Sequence, residues 1–203
     1  MARIETLEQL DALYGVAKPP AMVKVADCIT SEYRQFIEAA PFLALATSGP
    51  EGLDCSPRGD LPGFVRVRDE KTLLLPDRHG NNRIDSLRNI VRDSRISLMF
   101  MIPGVANVIR INGHAILTND PDVLASFAVK GKQPRSVIEL TVVEVYFQCA
   151  RAIMRSRLWD AEVQINPDTL PTPGQILSAM SDGKEGGASY DDAWAGRAEK
   201  TMW

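Results

Sequence analysis

The chain has 203 residues, enough for one domain with a sizeable core, and its 45% hydrophobic and 24% charged residues are those of an ordinary globular protein. A net charge of -3 gives no support for a nucleic-acid partner, which usually shows a basic patch or tail. No apolar run reaches the length of a membrane span, and Met1-Ala2-Arg3-Ile4-Glu5 lacks the apolar core of a signal peptide, so a cytoplasmic location is the default expectation. Cys28, Cys55 and Cys149 form no C-x-x-C pair, which argues against a zinc site and reads as reduced, buried thiols. His79 and His114 are far apart, so a histidine-rich metal site is excluded and no metal is expected.

In chain order, Thr6-Leu7-Glu8-Gln9 fits a capping box and Gly15 a stop, which predicts a short helix between them. Lys18-Pro19-Pro20 is expected to break it. A second helix is predicted from about Thr30 to Ala40, with Ile29, Tyr33, Phe36, Ile37 and Ala40 on one face and Pro41 as its end. Strands follow at Phe42–Thr47, Leu53–Arg58, Phe64–Arg68 and Thr72–Leu75, the first two joined by the Ser48–Gly52 turn. A helix from Asp85 to Val91 precedes further strands at Arg95–Ile102, Asn107–Leu117 and Val137–Phe147, with a short helix near Asp122 to Ala128 before the last. About six closely spaced strands with mostly short turns predict an antiparallel barrel, mainly β with peripheral helices. The tail from Pro167 to Trp203 is rich in Gly, Pro, Ser and Asp, and only Gln175–Met180 looks helical. The whole chain reads as a single domain, with N-terminal helices over 1–40, the barrel over 41–150 and a C-terminal helix and tail over 151–203.

Four polar clusters interrupt this pattern. Pro76-Asp77-Arg78-His79-Gly80-Asn81-Asn82-Arg83-Ile84-Asp85-Ser86 joins an apolar strand to a helix start. Such a start offers free N–H groups and the positive end of the helix dipole. Arg78 and Arg83 can supply charged bidentate hydrogen bonds to phosphate oxygens, and Asn81, Asn82 and Ser86 can complete the shell. An exposed loop capped by Asp85 explains the same residues equally well. Ser56-Pro57-Arg58-Gly59-Asp60 implies a bent backbone with a charge at a strand end, either a ligand loop or a sharp turn with a solvated arginine. On the strand Val108–His114, Arg110, Asn112 and His114 share a face with Val108, which is either the solvent face or a ligand site. Arg151-Ala152-Ile153-Met154-Arg155-Ser156-Arg157-Leu158-Trp159 carries three arginines and an aromatic. On a helix Arg151 and Arg155 are neighbours, as are Arg155 and Trp159. That pattern suits a subunit interface, a ligand pocket, or both.

Taken in order, these motifs resemble the FMN-binding proteins related to pyridoxamine 5′-phosphate oxidase. The resemblance covers roughly Pro41 to Asp160 and rests on Ser56-Pro57-Arg58-Gly59-Asp60, Leu75-Pro76-Asp77-Arg78, Gly80-Asn81-Asn82-Arg83, Arg110-Ile111-Asn112-Gly113 and Arg155-Ser156-Arg157-Leu158-Trp159. It implies a split β-barrel and a homodimer with two FMN molecules at the subunit interface. The family's phosphate loop falls on Arg78 and Asn81 to Ser86, with Pro76 and Asp77 before it also expected to bind the cofactor. Its flavin-contacting strands fall on Ser56 to Arg58 and on Val108 to Asn112, and the partner's Arg157 and Trp159 would close over the ring. Arg58 and Arg110 are candidates to stabilise the anionic reduced ring.

The function so implied is an FMN-dependent oxidoreductase acting on an unidentified small molecule. The alternative is a protein that stores or senses FMN without turnover; a related split-barrel enzyme using a deazaflavin or acting on haem is a third option. The family oxidase holds its substrate's phosphate with basic and aromatic residues near its C-terminus, a pattern not matched here. The tail after Trp159 is acidic, with Asp160, Glu162, Asp168, Asp182, Asp191 and Asp192, so poor use of pyridoxamine 5′-phosphate is expected.

Overall fold

A computed structural model describes residues 3–201. Met1, Ala2, Met202 and Trp203, the ends of the predicted N-terminal and tail segments, lie outside the described residues. Helix α1 (Leu7–Tyr14) is capped by the Thr6 hydroxyl, which accepts from the Gln9 N–H, and it ends at Gly15 with φ 66°. The reciprocal half of the capping box is displaced by one residue, because the Gln9 side chain accepts from the Glu5 N–H instead. Pro19 and Pro20 do not merely break the chain. They open α2 (Pro19–Val23), where a fixed φ suits the first helical turn and the missing N–H costs nothing. Helix α3 (Ser31–Ala39) is capped by Thr30 and sends Ile37 fully into the core beside Ile29 and Ala40.

Seven strands follow: β1 (Phe42–Gly49), β2 (Gly52–Gly59), β3 (Arg66–Val67), β4 (Thr72–Asp77), β5 (Arg95–Met101), β6 (Val108–Thr118) and β7 (Ser136–Gln148). They form one antiparallel sheet in the order β2-β1-β5-β6-β7-β4-β3. The strand expected over Phe64–Arg68 shrinks to two residues. Phe64 and Val65 are both buried, which a half-exposed strand with period two does not allow. Strand β4 instead runs two residues past its expected end, so Pro76 and Asp77 belong to the sheet. Proline is tolerated there because β3 pairs only with Leu73 and Leu74, leaving the rest of β4 as an edge.

The sheet is curled rather than flat. Leu43 and Leu45 of β1 share one buried cluster with Leu73 and Leu75 of β4, four places away in the sheet order. Closure is direct at the strand ends, where Arg58 of β2 meets Asp77 of β4 at 2.5 Å. No ladder joins β2 to β4, so the barrel is split along this seam. A bulge between β6 and β7 at Asn112/Gly113 assists the curl, and glycine is required there because a Cβ would lie 2.1 Å from the Thr141 carbonyl oxygen.

Helix α4 (Asp85–Arg92) covers β1 and β2 and buries Ser86, Leu87, Asn89 and Ile90. Helix α5 (Pro121–Ser126) is capped by Asp120, and α6 (Arg151–Ser156) stops at Arg157, whose φ is 51°. That left-handed residue turns the chain, so Arg155 and Trp159 are not neighbours on a helix as expected. The tail is also more ordered than its composition implies. Besides α7 (Pro173–Met180) it forms α8 (Ala188–Asp192) and α9 (Trp194–Thr201). Nor are the thiols buried: Cys55 and Cys149 are exposed and Cys28 half-buried. Cys55 sits on the face of β2 opposite the core, one residue out of phase with Ser56.

Candidate functional site: a cleft at the barrel seam

The inner face of the sheet changes character at its edge. On β1 the inward residues Leu43, Leu45 and Thr47 are buried, and opposite them on β2 stand Arg58, Ser56 and Asp54. The apolar core therefore ends in a polar row of Asp54, Ser56 and Arg58 at spacing two. Against that row stand the last residues of β4 and the first turn of α4. Between them lies a cleft of about 1190 Å³. Ser56, Pro57, Arg58, Pro76, Arg78, Asn81, Arg83 and Ser86, all singled out from the sequence, line it.

Two of these arginines bind the seam together. Arg58 donates to Asp77 at 2.5 Å, and Arg78 Nε donates to Asp60 at 2.8 Å. Arg-x-Asp at the end of β2 thus meets Asp-Arg at the end of β4 in two ion pairs. The Asp60 side chain is only 4% exposed, and Arg78 also donates to the Phe127 carbonyl at 2.7 Å. Asp77 is expended on Arg58 and does not line the cleft.

The remaining polar groups cluster at the start of α4. No side chain caps this helix, whose N-cap is Ile84; Asp85 is its first residue and pairs with Arg83 at 2.6 Å rather than capping. The hydrogen bond to Asp85 and its charge, with the nearby charge of Asp54, hold the Arg83 guanidinium above its usual range. The Arg83 side chain remains 80% exposed at the cleft. Asn81 fixes the loop by accepting from the Arg83 N–H at 2.9 Å. Ser86 is buried, donates to Asp54, and lies 3.0 Å from the Ser56 hydroxyl.

The other sequence-selected residues stand elsewhere. Asn82, with φ 61°, accepts from Arg135 at 2.9 Å. Arg110 stacks on Tyr146 with 5.3 Å between guanidinium and ring centre, and Asn112 donates to Glu144 at 2.6 Å. Arg157 pairs with Asp160 at 2.5 Å and Glu162 at 3.1 Å, and the Trp159 ring N–H donates to the Val105 carbonyl at 2.9 Å. Within one chain none of Asn82, Arg110, Asn112, Arg157 or Trp159 lines the cleft.

Sequence reasoning passed over Asp54, Tyr190, Trp194 and Arg197, which do line it, as does Asp60 of the second polar cluster. Strand period two places Asp54 beside Ser56, a detectable signal. Tyr190, Trp194 and Arg197 recur at helical spacing, but the surrounding Gly, Ser and Asp obscured it. Arg197 stacks over Tyr190 at 4.1 Å. The tail therefore turns aromatic and cationic residues toward the cleft.

The donor set fits a phosphorylated flavin. Arg83 and the uncapped N–H groups of α4 suit a phosphate, while Leu61, Phe64 and Trp194, which also line the cleft, suit an aromatic ring. Arg58 also carries a buried Nε with no hydrogen-bond partner, a donor that a ligand acceptor would satisfy. Among the described residues no group of three or more His, Cys, Asp or Glu could hold a metal ion, and no helix is long and apolar enough to cross a membrane.

A curled antiparallel sheet with a polar cleft at its open seam defines a split-barrel protein. A family model described as pyridoxamine 5′-phosphate oxidase matches residues 29–149, and the chain belongs to that family. Solved structures of similar fold include HupZ of Group A Streptococcus, 20% identical over 59% of this chain and 93% of that one, with a TM-score of 0.47. A candidate pyridoxamine 5′-phosphate oxidase from Lactobacillus delbrueckii is 21% identical over 60% of this chain and 95% of its own, TM-score 0.48. An FMN-binding protein from Syntrophomonas wolfei is 11% identical over 57% and 83%, TM-score 0.44. No curated protein matches the chain.

Proposed function

We infer that this chain is an FMN-dependent oxidoreductase acting on a small molecule, with the flavin phosphate seated where β2 meets the start of α4. The observation that carries this reading is the convergence of Ser56, Asn81, Arg83, Ser86 and an uncapped helix start on one cleft. FMN would supply the transfer of hydride or electrons. Arg83 would neutralise the phosphate, and Ser56 and Ser86 would orient it. Arg58, with its unsatisfied Nε, would donate toward the polar edge of the ring. The seam ion pairs would keep these groups in place.

The reading includes a homodimer with the flavin at the subunit interface, in a single-domain cytoplasmic protein. Arg110, Asn112, Arg157 and Trp159 would then face the partner's cleft, which accounts for their standing apart from it within one chain. Exposed Met99 and Val143 give the outer face of β5 to β7 an apolar surface suited to such contact. Light scattering should return a dimer at micromolar concentration; a monomer would refute this part.

The test of the whole reading is the cofactor itself. Mass spectrometry of ligand released from purified protein should give FMN, and NADH or NADPH should bleach its absorbance with recovery in air. Bound FMN that no donor reduces would mark a storage or sensing protein. Arg83→Ala removes a charge-assisted bond and should weaken FMN binding by roughly ten- to a hundred-fold, whereas unchanged affinity would dismiss Arg83 from the site.

A further inference from the structure

The seat contains a carboxylate that works against its ligand. Ser86 is buried at the first turn of α4 and spends its hydroxyl proton on Asp54. Ser56 lies 3.0 Å from the same Ser86 oxygen, so its proton can be passed on to Ser86 in turn. The row Ser56, Ser86, Asp54 then runs as a chain of donors that ends on Asp54 rather than in the cleft. Arg83 is held in the same way, hydrogen-bonded to Asp85 at 2.6 Å and within the field of Asp54. Asp54 also stands between the main cleft and a smaller one of about 270 Å³ lined by Glu51, Arg83, Asp85 and Arg88. An incoming phosphate must therefore take the Ser86 proton and part of the Arg83 charge from existing carboxylate partners. It must also accept a like charge at its side, which in a partly desolvated cleft is costly.

We propose that Asp54 sets how loosely this seat holds a phosphate monoester, so that the phosphorylated cofactor is exchanged with solution rather than retained. The inference rests on the flavin reading for the identity of the ligand, but not for the anion seat itself. Asp54→Asn is nearly isosteric, and its amide nitrogen donates where the carboxylate accepted. The Ser86 oxygen then receives that hydrogen bond, and its own proton turns toward the cleft. Arg83 keeps its bond to Asp85 and loses the field of Asp54.

The experiment measures binding of FMN, riboflavin and inorganic phosphate to the full chain and to Asp54→Asn. The expected result is FMN binding tighter by about ten-fold or more in the variant, with riboflavin unchanged because it lacks the phosphate. On dilution, wild-type protein should also release FMN faster than the variant. Asp54→Ala, which frees Ser86 without adding a donor, should shift FMN in the same direction and serves if Asp54→Asn folds poorly. Equal or weaker FMN binding in folded variants overturns the proposal, as does an equal gain for riboflavin. If neither protein binds a flavin but phosphate raises the melting temperature more in the variant, the flavin reading fails and the role of Asp54 stands. No binding of any of the three probes sinks both.

Discussion

Single residues here are read best by asking which partner each charge already has. From the sequence Arg78 looks like a phosphate ligand and Arg58 like a partner of the flavin ring, yet each answers a carboxylate across the seam, and of these and Arg83 only Arg83 is mostly exposed. The motif was legible and the division of labour within it was not, because pairing across the split depends on how far the sheet curls. A similar local balance fixes Asp93, where α4 hands the chain to β5. Arg95 donates from Nε at 3.0 Å and from its terminal nitrogen at 2.5 Å, its backbone N–H adds a bond at 3.1 Å, and the Ser48 hydroxyl one at 3.3 Å. The Arg95 side chain, then its N–H, hold the Asp93 carboxyl well below the usual carboxylate range. A depressed folded value means that the stabilisation is complete above the unfolded pKa near ~4 and is lost as pH falls through the folded value. Asp93→Asn should therefore lower the urea midpoint at pH 7, and the gap to wild type should shrink steadily below about pH 4. A gap that stays constant down to pH 2 would show that the carboxylate's charge is not what matters.

At the scale of elements, the strands were legible wherever one face is wet and the other buried. Strands β1, β5, β6 and β7 follow the apolar runs to within a few residues. The misreadings share a cause: local signals were outvoted by contacts distant in sequence. Pro76 became a strand residue because its neighbour strand stops short, and Phe64 and Val65 left the ladder to fill the core. Helices α8 and α9 have few apolar residues; α8 is held against α7, and α9 against α8. Asp191, read from the sequence as part of an acidic tail, accepts from the Gly174 N–H at 2.9 Å and the Thr172 hydroxyl at 2.6 Å. It therefore caps the N-terminus of α7, where a negative charge is favoured. Close packing of the pair depends on Gly174, which is buried, since a Cβ there would lie 2.4 Å from the Asp191 carboxylate and the Gly187 carbonyl. Asp191→Ala should cost about 1–2 kcal/mol of local stability. In hydrogen exchange the amides of α7 and α8 should lose protection while those of β5 to β7 keep theirs. Equal loss across the barrel would mean that the tail and sheet unfold as one unit and that this cap is not a local device.

For the whole molecule, the seam is where stability and site compete for the same residues. A fully closed barrel would have no edge and no cleft; a sheet left open would lose the enclosure of its core. Here the gap between β2 and β4 is spanned by side chains alone, through Arg58–Asp77 and Arg78–Asp60. The second pair is the more buried, with side chains 18% and 4% exposed. Removing its cation would strand the Asp60 carboxylate in a poorly hydrated place, and breaking such a pair typically costs about 3–5 kcal/mol. Arg78→Ala should therefore lower the stability of the cofactor-free protein by roughly 3 kcal/mol, the lower end because some water reaches Arg78. Arg83→Ala, which alters an exposed pair, should leave the cofactor-free unfolding midpoint where it was and weaken only ligand binding. Urea unfolding of both variants without flavin, set beside their FMN affinities, separates the two roles. If Arg78→Ala unfolds at the wild-type midpoint yet binds FMN poorly, Arg78 is a ligand arginine and the barrel is closed by something else. If it is destabilised without flavin, the weaker binding it also shows follows from a seam that no longer holds β2 against the start of α4.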